Sequence, residues 1–173
     1  MTRQLDIDLA RHPFLFGMSR QDVGLLADCA VRVCFDPNEG IFREGEEADR
    51  VHLIETGNVA LESTGGSKPV VFETVGAGEL LGTSWLFPPH KWRVNARACE
   101  PVTAIALNGS LLRKYSERDQ SLGFQLFKRI SEVMTRRLDS ARQRLLESNP
   151  PEDAPHRTTP YVAHPDGEEP RCE

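Results

Sequence analysis

What the chain lacks narrows it first. Its four cysteines, Cys29, Cys34, Cys99 and Cys172, form no CxxC pair. None combines with a histidine at zinc-ligand spacing. Three of them without a further ligand cannot hold an iron–sulfur cluster, so no metal centre is expected. Thiols this sparse and unpatterned fit a reducing compartment. No apolar run approaches the ~20 residues a membrane helix requires. The opening stretch MTRQLDIDLARHPFLFGM is broken by Asp6, Asp8, Arg11 and His12, so it has no signal-peptide core. Together these observations place the protein in the cytoplasm, away from any membrane.

Positive charge is also in short supply. Lys and Arg total 21 against 26 Asp and Glu, a net charge of −5. That balance argues against nucleic acid as a partner. No GxSxG, HExxH or P-loop occurs, and His12, His52, His90, His156 and His164 are scattered. No catalytic constellation is therefore expected, and the chain is not read as an enzyme.

What is present changes period twice. Ser19 is placed to cap a helix carrying Val23, Leu25, Leu26, Cys29 and Ala30 on one face. From Val31 to Leu107 the period becomes two, with turn signals at Asp36-Pro37-Asn38, Gly45, Thr56-Gly57-Asn58, Gly65-Gly66 and Gly76-Ala77-Gly78. Short strands punctuated in this way predict a mainly β fold, an antiparallel jelly roll over about 31–108 with flanking helices. Helix returns as a short segment from Ser110, then as a long C-terminal helix that must end before Pro150-Pro151. The predicted layout is an N-terminal segment 1–18, a domain 19–148 with its helices over about 110–148, and a tail 149–173. The tail is rich in proline and charge and is read as disordered.

Several pieces of this pattern resemble a known family. HPFLFGMSRQDVGLLADCA, FDPNEGIFREGEEADRVHLIETGNVAL and VGAGELLG are similar to stretches of cyclic nucleotide-binding domains. These are the sensor modules of catabolite-activator-type regulators and of protein kinase A regulatory subunits. The resemblance covers about residues 10–148. It implies the jelly-roll fold and a possible ligand, cyclic AMP or cyclic GMP, with no other cofactor. It also implies that Glu79, by position, accepts a bond from the ribose hydroxyl. Gly78, Glu79, Leu80 and Leu81 would then line the sugar side, and Lys91, Trp92 and Arg93 the phosphate side. Phe127 or Ile130 would cap the base. Bare backbone amides near Gly78 could face an anion.

The pattern breaks where the phosphate should be held. In the family an arginine pairs with the phosphate six residues before an alanine that ends the following strand. That alanine matches Ala98, and six back stands Trp92, flanked by Lys91 and Arg93. Either a rebuilt loop delivers Lys91 or Arg93, or Trp85 and Trp92 stack on a different flat ligand, or both indoles are core. Strand alternation puts Lys91 and Arg93 on the face opposite Trp92. If Trp92 points inward, both cations point out. The stretch SWLFPP, with Trp92 and ARA, is also similar to that of a bacterial subfamily of comparable length without a second domain.

The long helix carries Phe127, Ile130, Met134, Leu138, Ala141 and Leu145 as an apolar stripe. Part of it is read as a self-complementary dimer interface, a helix pair across a two-fold axis. The step of four from Met134 to Leu138 departs from a strict heptad, so a long regular coiled coil is not expected. No winged helix-turn-helix follows, so a transcription factor reading has little support. Two functions remain: a sensor that regulates a partner protein, or a degenerate scaffold that binds no nucleotide.

Overall fold

The structure is a computed structural model that describes residues 2–63 and 69–149. The expected tail lies outside the described residues, apart from Asn149. The chain begins with helix α1 (Thr2–Arg11), a 3-10 turn (Pro13–Leu15) and helix α2 (Arg20–Ala27). Eight strands follow: β1 (Ala30–Phe35), β2 (Gly40–Phe42), β3 (Arg50–Thr56), β4 (Val59–Ser63), β5 (Val70–Val75), β6 (Leu80–Leu81), β7 (Asn95–Ala98) and β8 (Val102–Asn108). Helices α3 (Gly109–Arg118) and α4 (Gln120–Ser148) close the fold.

The strands make two antiparallel four-stranded sheets, ordered β1-β8-β3-β6 and β2-β7-β4-β5. This is the jelly roll that the period-two stretch predicts. Gly57 makes the β3–β4 turn possible. It sits at φ +84°, and a side chain there would meet the Pro101 carbonyl at 2.5 Å. A filled interior follows from the alternation. Phe35, His52, Phe42 and Trp92 form a column of rings between the sheets. Phe42 and Trp92 lie 3.8 Å apart at 8°, and His52 stacks 6.4 Å from Phe42. Phe35 meets His52 edge-on at 6.0 Å.

The N-terminal segment is more structured than its charge suggests. Leu5 and Leu9 stand one turn apart on α1, and Leu9 is fully buried with Leu15 beside it in the core. The charged residues that hide this stripe in the sequence remain outside. Arg32 joins Asp8 at 2.6 Å and Glu55 at 2.8 Å, linking α1 to the barrel. His12 is buried between them: its Nε2 lies 3.0 Å from the Ile54 carbonyl, and its Nδ1 accepts from the Phe14 amide. Ser19 caps α2, accepting from the Asp22 amide as its position predicts.

Asn108 ends β8 and also caps α3, its side chain accepting from the Leu111 amide at 2.9 Å. Asp119 alone separates α3 from α4, and its carboxylate accepts from the Ser121 and Leu122 amides. Leu122, Leu126, Ile130 and Val133 of α4 are buried in the core. The chain divides after Arg136 into two compact units. Among the described residues, the second unit consists of the last turns of α4 and Asn149.

Candidate functional site

The turn before β6 is held by its own backbone. Gly78 takes φ +83° and donates its amide to the Ile54 carbonyl at 2.8 Å. The Glu79 amide donates to the Gly76 carbonyl at 3.2 Å. The Glu79 carboxylate accepts from the Gly76 amide at 2.7 Å. The amides expected to face an anion near Gly78 are thus committed within the fold, a correction to the sequence reading. Leu80 and Leu81 pair with Leu53 and His52 of β3, and both are buried. Glu79 is half-buried. It faces a small cavity shared with Pro13, Phe14, Arg129, Val133 and Arg136.

Trp92 decides the phosphate side. Its indole is 5% exposed and lies flat on Phe42. Its amide donates to the Glu46 carbonyl and its own carbonyl accepts from Gly45. Lys91 and Arg93 on either side are exposed. The alternation argument therefore holds: with Trp92 inward, both cations point away from the barrel. Trp85 is also buried, at 2% exposure, with its Nε1 unpartnered among the described residues. Arg113 donates to the Trp85 carbonyl, which ties the loop to α3. The structure brings together Gly78, Glu79 and Leu80 of the sugar side, which line one cavity with α4, but not the phosphate side: Trp92 and Trp85 enter the core, and Lys91 and Arg93 meet solvent.

The structure points to a segment that the sequence reading passed over. Gly82 follows β6 at φ +87°, and its Cα packs so close to Trp92 that a Cβ would lie 2.7 Å from the ring. After it, no described residue accepts the amide hydrogens of Thr83, Ser84 or Trp85. That leaves three successive N–H groups, beside two hydroxyls, with no acceptor among the described residues. A glycine followed by two hydroxyl residues straight after an apolar pair was the available signal. The match at Gly78-Glu79 masked it.

On α4, Ile130 belongs to the buried face at 2% exposure, whereas Phe127 is 54% exposed. Met134, Leu138, Ala141 and Leu145 are exposed too, as is Phe124, which the sequence reading omits. Without Ile130, the outward row runs through 124, 127, 131, 134, 138, 141 and 145. Its steps alternate three and four, the heptad pattern that Ile130 had disguised.

Comparison with known proteins agrees with this architecture. A profile of the cyclic nucleotide-binding domain family matches residues 32–119, just over half of the chain. A search of curated proteins returned no match. Among solved structures, a cyclic nucleotide-binding protein from Geobacter metallireducens GS-15 is similar at 27% identity and TM-score 0.68, covering 79% of this chain and 97% of its own. A cyclic nucleotide-binding domain from Methylobacillus flagellatus KT has TM-score 0.71 at 18% identity, covering 88% and 86%. The regulatory domain of Toxoplasma gondii protein kinase A, solved with cyclic AMP, has TM-score 0.61 at 24% identity, covering 76% and 50%.

Proposed function

This chain belongs to the cyclic nucleotide-binding domain family, and we propose that it is a non-catalytic regulatory module that signals to a partner protein. Its phosphate-binding cassette is rebuilt around Trp92. The observation that carries this reading is the inward indole at 5% exposure, stacked on Phe42, where the resemblance places a cation. A phosphate at that point would meet an apolar ring. Losing a charge-assisted bond costs roughly 1.5–3 kcal/mol, which is ~10- to 100-fold in affinity. We therefore expect cyclic AMP and cyclic GMP to bind this chain far more weakly than they bind a domain with that arginine.

The free amides of Thr83, Ser84 and Trp85 favour a second reading, in which a cyclic nucleotide still binds and the backbone replaces the arginine. That a domain of this fold from Toxoplasma gondii was solved with cyclic AMP supports testing it. Titration calorimetry with cyclic AMP, cyclic GMP and cyclic dinucleotides separates the two readings. No saturable heat at millimolar ligand supports the filled barrel. Micromolar binding lost on Thr83→Pro, which deletes an amide donor, supports the second. Glu79→Ala is the companion variant: the resemblance makes its carboxylate the ribose ligand, so any nucleotide binding should be lost with it, and binding that survives would remove that role.

The output surface on this reading is the outward row of α4. We assign it to a parallel homodimer in the cytoplasm, through Phe127, Met134, Leu138, Ala141 and Leu145, with Phe124 added. Six exposed apolar residues at heptad steps, with Ser131 at the one polar position, support a helix pair. Sedimentation of the full chain should show a dimer that Leu138→Glu converts to monomer. A native monomer at tens of micromolar would remove the homodimer and leave the row to the partner protein.

A further inference from the structure

Helices α1 and α2 pack against each other, and a cleft of about 410 Å³ lies between them. Its volume falls in the range usual for small-molecule sites. Its walls are largely apolar. Ile7 and Ala10 come from α1, Met18 from the linker and Val23 from α2. Val23 is buried, whereas Ile7 is left 42% exposed. Gly24 lines the cleft as well. The fold does not require this glycine. It lies inside α2 on ordinary helical backbone, and a Cβ there would meet nothing within 4 Å. Glycine inside a helix is destabilising relative to other residues. What its hydrogen does provide is width in the cleft. The rim carries charge. Arg11 ends α1 and Arg20 begins α2, so both stand at the linker ends of their helices. Neither forms a hydrogen bond or ion pair with a described residue. Asp6 is the one carboxylate in the lining, more than a turn back from Arg11 along α1.

Two cations against one carboxylate suit a ligand with a single negative charge. Apolar walls beyond them suit an alkyl chain. A bare anion would leave those walls in water, and an alkylammonium would meet the arginines. We propose that the α1–α2 cleft binds a medium-chain fatty acid. Its carboxylate lies toward Arg11 and Arg20, and its chain runs along Ile7, Ala10, Val23 and Gly24. Both arginines are exposed, so their charges choose the sign of the ligand more than they set its affinity. The buried methylenes supply most of the affinity. The site shares no residue with the Gly78–Leu80 turn, the barrel interior or α4, and it does not rest on the regulatory reading above. A ligand held there contacts both helices at once. It would favour the arrangement in which α1 stays docked, with its Asp8 on Arg32 of β1.

The test is titration calorimetry of the full chain with octanoate and decanoate, each kept below its micelle concentration. Acetate lacks the chain, and decylamine reverses the charge. Decanoate should bind saturably at one to one. Each buried methylene should add about 4-fold, so decanoate should bind about 15-fold more tightly than octanoate. Arg11→Gln and Arg20→Gln should each weaken binding by about 2- to 5-fold, and that loss should shrink in high salt. Gly24→Leu should fill the cleft and abolish binding. Its urea midpoint should rise at the same time, because leucine replaces glycine inside a helix. Lost binding with a raised midpoint cannot come from unfolding. The proposal fails if neither carboxylate saturates, if decylamine binds as well as decanoate, or if Gly24→Leu binds unchanged. None of these results bears on nucleotide binding, which is read out with different ligands.

Discussion

The close approach of Gly82 to Trp92 can be measured. A Cβ on residue 82 would lie 2.7 Å from Cζ3 and 2.8 Å from Cη2 of the indole, on a backbone at φ +87°. Gly82→Ala therefore carries two costs. The left-handed backbone costs roughly 1–2 kcal/mol. Displacing a packed ring costs about 1–3 kcal/mol more. Trp92→Ala alone should cost about 3–5 kcal/mol, as for other buried aromatics. In the double variant the ring is gone, so Gly82→Ala should retain only the backbone cost. The two changes should then be sub-additive by about 1–3 kcal/mol. Urea unfolding followed by circular dichroism on all four proteins yields this coupling, provided the m values agree. Additivity within about 0.5 kcal/mol would show that the indole does not lie against Gly82. The reading of a filled barrel would fall with it.

Three further perturbations follow from the same structure. Burial among rings, with the Arg50 charge second, pushes the His52 imidazole from its ordinary 6.5 down to about 4. The unfolded chain thus binds a proton that the folded one refuses. Stability should fall as pH drops from 6.5 toward 4, by on the order of 3 kcal/mol from this group. His52→Phe should flatten the slope of urea midpoints over that range, leaving the smaller, same-sign contribution of His12, also lowered by burial. Asn108→Ala removes the α3 cap and should cost about 1 kcal/mol by urea unfolding; no loss would show the cap is dispensable. Leu9→Ala should cost about 2–5 kcal/mol, because Leu9 is fully buried; a change below about 0.5 kcal/mol would mean α1 does not dock in solution.

The jelly roll was legible because its signals are local. Strand alternation and glycine turns state their period within a few residues, and Ser19 caps its helix from a fixed offset. α1 was not legible, since two leucines among six charged or polar residues carry little periodic signal. Only the docking of Leu9 onto the barrel reveals its face. Alternation put Lys91 and Arg93 on the face opposite Trp92 but left open which face turns inward, and packing on Phe42 decides it. Glu79 did not follow from the sequence: its direction depends on the hydrogen bond to Gly76, which no spacing announces. The two faces of α4 merged into one stripe in the sequence because Ile130 belongs to the core and its neighbour Phe127 does not. Only a packed body tells them apart.

Asn108 and Asp119 are each the single residue at a junction, one between β8 and α3, the other between α3 and α4. Each is pinned by a cap, and the Gly109 amide is further tied to the Asp49 carbonyl at 2.7 Å. There is no slack in this transmission. A loop of several residues would absorb a small displacement of β8 as a change in its own shape. Here β8 runs straight into the first helix, and that helix meets the second through one joint. A shift in the sheet would meet no loop able to absorb it before the start of α4.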